Sequence, residues 1–221
     1  VNRELNIAGV MITCPGRAAE LKATLADLRR HEPDLRLHIQ MDDNTCERRQ
    51  ERQERNSLSA LATGLNKFPD ADVLLFFEDD IRFNKHLVHN LQQWSPLRNI
   101  ERATPGNPRP GPRRCVFGSL YDPNVRERIS VAVEHYFVAY AESVYGSQAF
   151  VMSREMAEHF VANWWDVEGM QDIKMSRLAA QKGPIYYHQP SLVQHVGLVS
   201  TWTEDARFHD TKSFDLNFMA K

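Results

Sequence analysis

The chain predicts an α/β fold with a Rossmann-like, mostly parallel central sheet flanked by helices. Two observations point there. Through the first 80 residues, short apolar runs alternate with stretches whose leucines recur at helical spacing, the β-α-β-α-β order of a doubly covered sheet. Two of those runs also end in clustered acids, and parallel strands bring their carboxyl ends to one edge of the sheet.

The elements follow in order. Residues 5–13 (LNIAGVMIT) form an apolar run stopped by Cys14-Pro15-Gly16, which predicts a buried strand and a turn. Leu21, Leu25 and Leu28 then mark a helix. Residues 35–41 (LRLHIQM) alternate with period two and stop at Asp42-Asp43-Asn44, a second strand with a polar end. Leu58, Leu61 and Leu65 mark a second helix, and residues 71–77 drive an apolar strand straight into Glu78-Asp79-Asp80.

Beyond an amphipathic stretch over 85–94, residues 95–114 hold five prolines, two glycines and five arginines. Such a segment is a poor helix or strand and predicts an extended, mobile loop, either a linker or an active-site flap. Residues 115–120 read as a strand, 129–138 as a strand or ribbon, and 148–152 as a short strand, with helices over 153–163 and 171–181. The expected organisation is one catalytic domain, 1–221: a nucleotide-binding half at 1–94, the loop at 95–114, and an acceptor and catalytic half at 115–221.

Composition excludes several classes. With 221 residues, 42% of them apolar, the chain can bury a sizeable core, and a net charge of −2 supplies no global field for nucleic acid or an anionic membrane. Cys14, Cys46 and Cys115 lie far apart without CxxC spacing, which fits neither a zinc site nor a disulfide framework and points to a reducing compartment, the cytoplasm. No run of 18 apolar residues is present, so no membrane span is expected.

Both acid clusters should face a single crevice. There a divalent cation can take carboxylate and phosphate oxygens together, which points to a metal-assisted enzyme acting on a nucleotide-linked substrate. Acids at strand ends are also ordinary solvated turn residues. Near the other terminus, His195 stands in the segment PSLVQHVGLVST; an imidazole is a good ligand for manganese, and Gly197 with Ser200 would let backbone and hydroxyl groups approach phosphate. A lone histidine is otherwise a core residue bonded to a carbonyl.

The PSLVQHVGLVST segment, following an apolar strand ending in EDD, resembles the end of the catalytic domain in the N-acetylglucosaminyltransferase IV family. The resemblance implies a nucleotide-sugar glycosyltransferase of the GT-A fold. It implies that Glu78-Asp79-Asp80 is the DxD-type motif, here EDD, with Asp80 the leading metal ligand, Glu78 contacting ribose or metal, and His195 the C-terminal metal or diphosphate ligand. The cation would be Mn²⁺ or Mg²⁺. Residues 13–17 (TCPGR) resemble the first nucleotide-binding loop, which places Thr13 and Arg17 at the donor. Asp42 or Asp43 would hold the uracil or ribose end of a UDP-sugar, with Arg55-Asn56 at the head of the next helix a further candidate. Ser147 and Gln148, in a small-residue turn, would border the donor sugar.

Glycosyl transfer requires a base for the acceptor hydroxyl. Asp172 is the first candidate, since the resemblance implies an inverting enzyme with its catalytic acid ahead of such a helix; Glu168 is the second, and a helix N-cap is the alternative role for Asp172. Trp164-Trp165 could present a flat surface to a sugar or belong to the core. UDP-GlcNAc is the donor the resemblance favours. The acceptor is left open between a glycan, a lipid-linked glycan and a modified DNA met by the arginine-rich loop. The rival readings are a nucleotide-sugar pyrophosphorylase, for which TCPGR is a poor phosphate loop, and a non-catalytic nucleotide-sugar or carbohydrate binding module.

Overall fold

In the computed structural model the described residues are 4–43, 48–98, 115–123, 125, 128–131, 135–140, 144–197 and 211–221. Residues 99–114, Cys46 and Ser200 lie outside them. The chain runs β1 (Ile7–Thr13), α1 (Ala18–His31), β2 (Arg36–Met41), α2 (Arg49–Lys67) and β3 (Val73–Phe77), the predicted alternation. It continues through β4 (Ile81–Phe83), α3 (Leu87–Gln93), α4 (Ser95–Arg98), β5 (Phe117–Ser119), β6 (Arg128–Val131), β7 (Tyr136–Ala139) and β8 (Ala149–Ser153). α5 (Arg154–Asn163), α6 (Gln171–Ala180), β9 (Ile185–His188) and β10 (Val193–His195) complete it.

Among the described residues the main sheet has eight strands in the order β2-β1-β3-β8-β5-β9-β7-β6. β1 is parallel to β2 and β3, and β5 to β9, whereas β8 opposes β3 and β5 and β7 opposes β9 and β6. Six strands therefore share one direction and two run against them, so the sheet is mostly parallel. Both faces are covered. On β1, Ala8, Val10 and Ile12 join the core beneath α2, α5 and α6, while Ile7 and Met11 join Leu28 of α1 and Leu87 and Leu91 of α3 on the other side. That two-sided burial is why β1 and β3 read as unbroken apolar runs. Each fully buried ring on β3, Phe76 and Phe77, contributes roughly 1.5–3 kcal/mol.

One expectation changes. The expected loop does not begin at Ser95: Ser95–Arg98 form a helical turn, with Pro96 in the first turn, where its missing N–H costs nothing, and Leu97 fully buried. The 129–138 run takes the ribbon form, with β6 and β7 paired antiparallel and Arg128 opposite Ala139. A separate two-stranded ribbon, unexpected from the sequence, pairs β10 with β4 and sets His195 opposite Ile81.

A candidate active site at the carboxyl ends of the parallel strands

β2 and β3 flank β1 and run parallel to it, so Thr13, Asp42 and the Glu78-Asp79-Asp80 cluster come out at one edge. Gly16, at φ +92°, turns the chain from β1 into α1 through a conformation that side chains resist, and Arg17 follows at the helix mouth. The ribbon supplies His195: its register against β4 carries the imidazole back over Asp80, and Val196 N–H donates to the Asp80 carbonyl at 2.9 Å.

The three acids are held differently. Asp79 accepts from Thr13 Oγ1 at 2.5 Å and from Arg17 Nε at 2.7 Å, and Thr24 Oγ1 caps its carbonyl at 2.8 Å. Asp80 Oδ2 is shared by Arg17 Nη2 at 2.6 Å and His195 Nε2 at 3.3 Å, while its buried Oδ1 has no hydrogen-bond partner among the described residues. Glu78 is tied through Oε1 to Ser147 Oγ and to Gln171 Nε2, the latter at 3.0 Å, and Gln171 reaches on to Ser57 of α2.

The charges respond accordingly. Burial, with the Asp80 charge beside it, pushes the Glu78 carboxyl up to about 7. Burial likewise raises Asp79 against the pull of Thr13 and Arg17. At Asp80 burial is outweighed by His195 and Arg17, and the carboxyl is held below its usual range. The His195 imidazole moves the opposite way, raised by Asp80 in spite of its own burial. Arg17 too is raised, since the two aspartates overcome its desolvation.

The structure brings Thr13, Arg17, Glu78, Asp80, His195, Ser147 and Gly197 to one place. Glu78 N–H donates to the Gln148 carbonyl at 3.0 Å, so Gln148 stands beside Glu78, with its own side-chain oxygen buried and meeting no partner among the described residues. Asp172 joins from α6, accepting Gly146 N–H at 3.0 Å through Oδ2 and Ile173 N–H at 2.9 Å through Oδ1. The N-cap of that helix is Met170, so Asp172 lies in the first turn rather than at the cap. Asp42 lies at the edge with Arg52 Nε 3.9 Å from its carboxylate, and its N–H continues the ladder to Thr13 O at 2.9 Å.

Other candidates stand apart. Asp43 and Glu168 are exposed, and the Glu168 carbonyl accepts from Arg177. Arg55 pairs with Glu51 one turn earlier on α2, at 2.9 Å, with its guanidinium 5.7 Å from the Trp165 ring. Of the tryptophan pair, Trp164 is core and Trp165 is 55% exposed. Asn56, the candidate beside Arg55, is buried on α2 and donates to the Thr13 carbonyl at 3.3 Å. Sequence reasoning missed Gln171, fully buried and bonded to Glu78, Ser147 and Ser57. Only its setting at a core-facing position of α6 could have flagged it.

The residues fit a divalent cation in a limited way. Asp80 Oδ1 is a buried acceptor that meets no donor among the described residues, and Gly197 is packed so tightly that a Cβ there would lie 2.3 Å from Asp80 Oδ2 and 2.9 Å from His195 Nε2. Among the described residues no group of three His, Cys, Asp or Glu side chains is arranged to hold a metal alone. Two protein ligands with phosphate and water completing the shell is the habit of a hard cation held jointly with its substrate.

The fold is similar to that of a glycosyltransferase involved in the glycosylation of the major capsid of PBCV-1, over 88% of this chain and 94% of that one, at 10% identity and a TM-score of 0.52. A second solved structure, A197 from STIV, matches over 86% of this chain and 84% of that one, at 12% identity and a TM-score of 0.42. The first likeness shows a shared fold, the α/β architecture of a glycosyltransferase. No protein-family model and no curated protein matches the chain, so membership of the N-acetylglucosaminyltransferase IV family is not shown. No helix among the described residues is long and apolar enough to cross a membrane.

Proposed function

We propose that the protein is a metal-dependent, inverting glycosyltransferase that moves a sugar from a UDP-sugar, UDP-GlcNAc in first place, to an acceptor hydroxyl. The observation that carries the reading is the meeting of Asp80 with His195 beside the Thr13–Arg17 loop, at the strand edge where open α/β sheets bind nucleotides. Residues 1–94 form the donor half and 115–221 the acceptor half, with 95–114 between them.

Asp80 and His195 would hold Mn²⁺ or Mg²⁺, with Glu78 nearby to meet the cation or the ribose. When bound, the cation would neutralise charge gathering on the departing diphosphate. Arg17 presents a guanidinium to the phosphates, Thr13 holds Asp79 beside it, and Asp42 faces the nucleoside. Ser147, Gln148 and Gly197 border the sugar and diphosphate. Asp172 is held in orientation by the backbone N–H groups that bond both its oxygens. It takes the proton of the acceptor hydroxyl as the new C–O bond forms at the anomeric carbon and the old one breaks, its electron pair leaving with UDP.

A thermal-shift panel of nucleotide sugars with and without Mn²⁺ tests the reading, because a ligand of the folded state raises the melting temperature. A UDP-sugar that stabilises only with Mn²⁺ is expected; no nucleotide response under either condition overturns the proposal. Asp172→Asn then separates the classes: lost transfer with donor binding kept marks an enzyme. Absence of turnover in either form, with binding intact, marks a binding module, and release of pyrophosphate rather than UDP marks a pyrophosphorylase.

A further inference from the structure

We propose that Arg17 occupies the cation's place in the free protein and makes binding of the divalent cation and the nucleoside diphosphate mutually dependent. The inference rests on the transferase reading of the same site. Arg17 is not a surface residue that happens to meet an acid. Its side chain is 14% exposed, and its guanidinium bridges two neighbouring carboxylates, Nε to Asp79 Oδ1 at 2.7 Å and Nη2 to Asp80 Oδ2 at 2.6 Å.

That bridge solves one problem and creates another. Three consecutive acids at a closed strand edge repel one another, and an arginine fork is the side chain best shaped to neutralise two of them at once. The oxygen it takes on Asp80 is the one that His195 also faces. A dication seated between Asp80 and His195 would lie within a few ångströms of the guanidinium, so the two positive groups compete for one carboxylate.

A diphosphate relieves the competition. Arg17 sits at the N-cap of α1, directly after the β1–α1 turn, and guanidinium pairs with phosphate as readily as with carboxylate. Drawn onto the diphosphate, it vacates Asp80 Oδ2 while Thr13 keeps Asp79 in place at 2.5 Å. The free Oδ1 and the vacated Oδ2 then both serve the cation. Linkage requires the effect to be reciprocal: diphosphate strengthens cation binding by the factor through which cation strengthens diphosphate binding.

Direct cation–phosphate bonds also couple the two ligands, so the discriminating quantity is cation affinity with no nucleotide present. Mn²⁺ binding to the full chain, measured by electron paramagnetic resonance, is compared for the wild type and Arg17→Met, and UDP binding is then measured by calorimetry in saturating Mn²⁺. Arg17→Met is expected to bind Mn²⁺ alone more tightly, on the order of tenfold, and to bind UDP more weakly by a similar factor. An arginine that merely holds the acids in position gives the opposite sign for Mn²⁺ alone. Equal or weaker Mn²⁺ binding by a folded Arg17→Met chain, with wild-type UDP and Mn²⁺ binding intact, overturns this inference and leaves the transferase reading standing. A wild type that binds neither Mn²⁺ nor UDP, together or separately, overturns both. If Arg17→Met does not fold, Arg17→Lys, which keeps one charge but cannot fork across two carboxylates, is expected to shift both affinities in the same directions by less.

Discussion

Two buried polar clusters sit in this molecule, and they are built on opposite rules. Where residues 211–221 lie against α3, the polar groups are neutral and mutually satisfied. Asn84 Nδ2 donates to the carbonyls of Asp215 at 2.7 Å and Phe218 at 3.0 Å while its Oδ1 accepts from His86 N–H and Asn90; Asn90 Oδ1 in turn accepts from Ala220 N–H. Ser191, Thr211 and Ser213 close a second ring of hydroxyls nearby. At the other cluster three carboxylates, a guanidinium and an imidazole are crowded together, and Asp80 Oδ1 meets no donor among the described residues. A satisfied neutral network helps specify a fold, whereas crowded like charges at a strand edge are costly to the fold.

The contrast breaks most visibly at Asp80. Asp80→Asn keeps the shape and removes the charge, so transfer should fall by about 10²–10³-fold, the usual scale for losing a group that stabilises transition-state charge. The melting temperature should move little, because relief of repulsion among the acids offsets the lost half of the Arg17 bridge. Steady-state transfer assays beside thermal melts decide it, and an Asn variant that unfolds would make this cluster structural after all.

Asn84→Ala asks the reverse question. It strips partners from two tail carbonyls, the His86 N–H and Asn90, so about 3 kcal/mol should be lost, some 6–12 °C in a chain of this size. Transfer measured well below the melting point should be unchanged. A variant with wild-type stability and impaired transfer would erase the distinction between the clusters.

His188 is a titratable weak point beside the neutral cluster. It is 2% exposed, packed between the rings of Trp94 and Phe218, and its Nδ1 pairs with the Pro190 carbonyl at 2.6 Å. Burial holds its pKa down to about 4, below the roughly 6.5 of an unfolded chain. The unfolded state therefore binds the extra proton first: this contribution to stability is whole above pH 6.5 and is lost as pH falls toward 4, at most roughly 3 kcal/mol. Melts from pH 7.5 to 4.5 should show a steeper loss for the wild type than for His188→Gln. Parallel curves would mean the imidazole titrates alike in both states.

How much of this was legible depends on the range of the interaction. The β-α-β-α-β half could be read because β1 and β3 are buried on both faces and α1 and α2 carry leucines on one, patterns complete within a dozen residues. The acids at 78–80 announced themselves for the same reason, as charges ending an apolar run. Other features depend on distant partners. The three-residue β4 has no pattern of its own and exists because β10 pairs with it. Gln171 acquires a role only when α6 docks against β3 and α2, and Asn84 and Asn90 look like surface amides until the tail folds over them. Arg17 was placed at the donor by resemblance, but its grip on both Asp79 and Asp80 is a product of the turn at Gly16.

Gly197→Ala should have the smallest effect, and it tests whether close packing at the charged cluster serves binding rather than stability. A methyl at Gly197 would sit 2.3 Å from Asp80 Oδ2 and 2.9 Å from His195 Nε2. Both are ends of side chains, which can swing aside at little cost to the backbone, so the melting temperature should drop by no more than a few degrees. The carboxylate and imidazole, however, can no longer converge on one point. Mn²⁺ affinity in the presence of UDP should fall on the order of tenfold, as when a group orienting a metal ligand is lost. Calorimetric titration with Mn²⁺ at fixed UDP measures this directly, and unchanged affinity would mean that Asp80 and His195 do not bind one cation together.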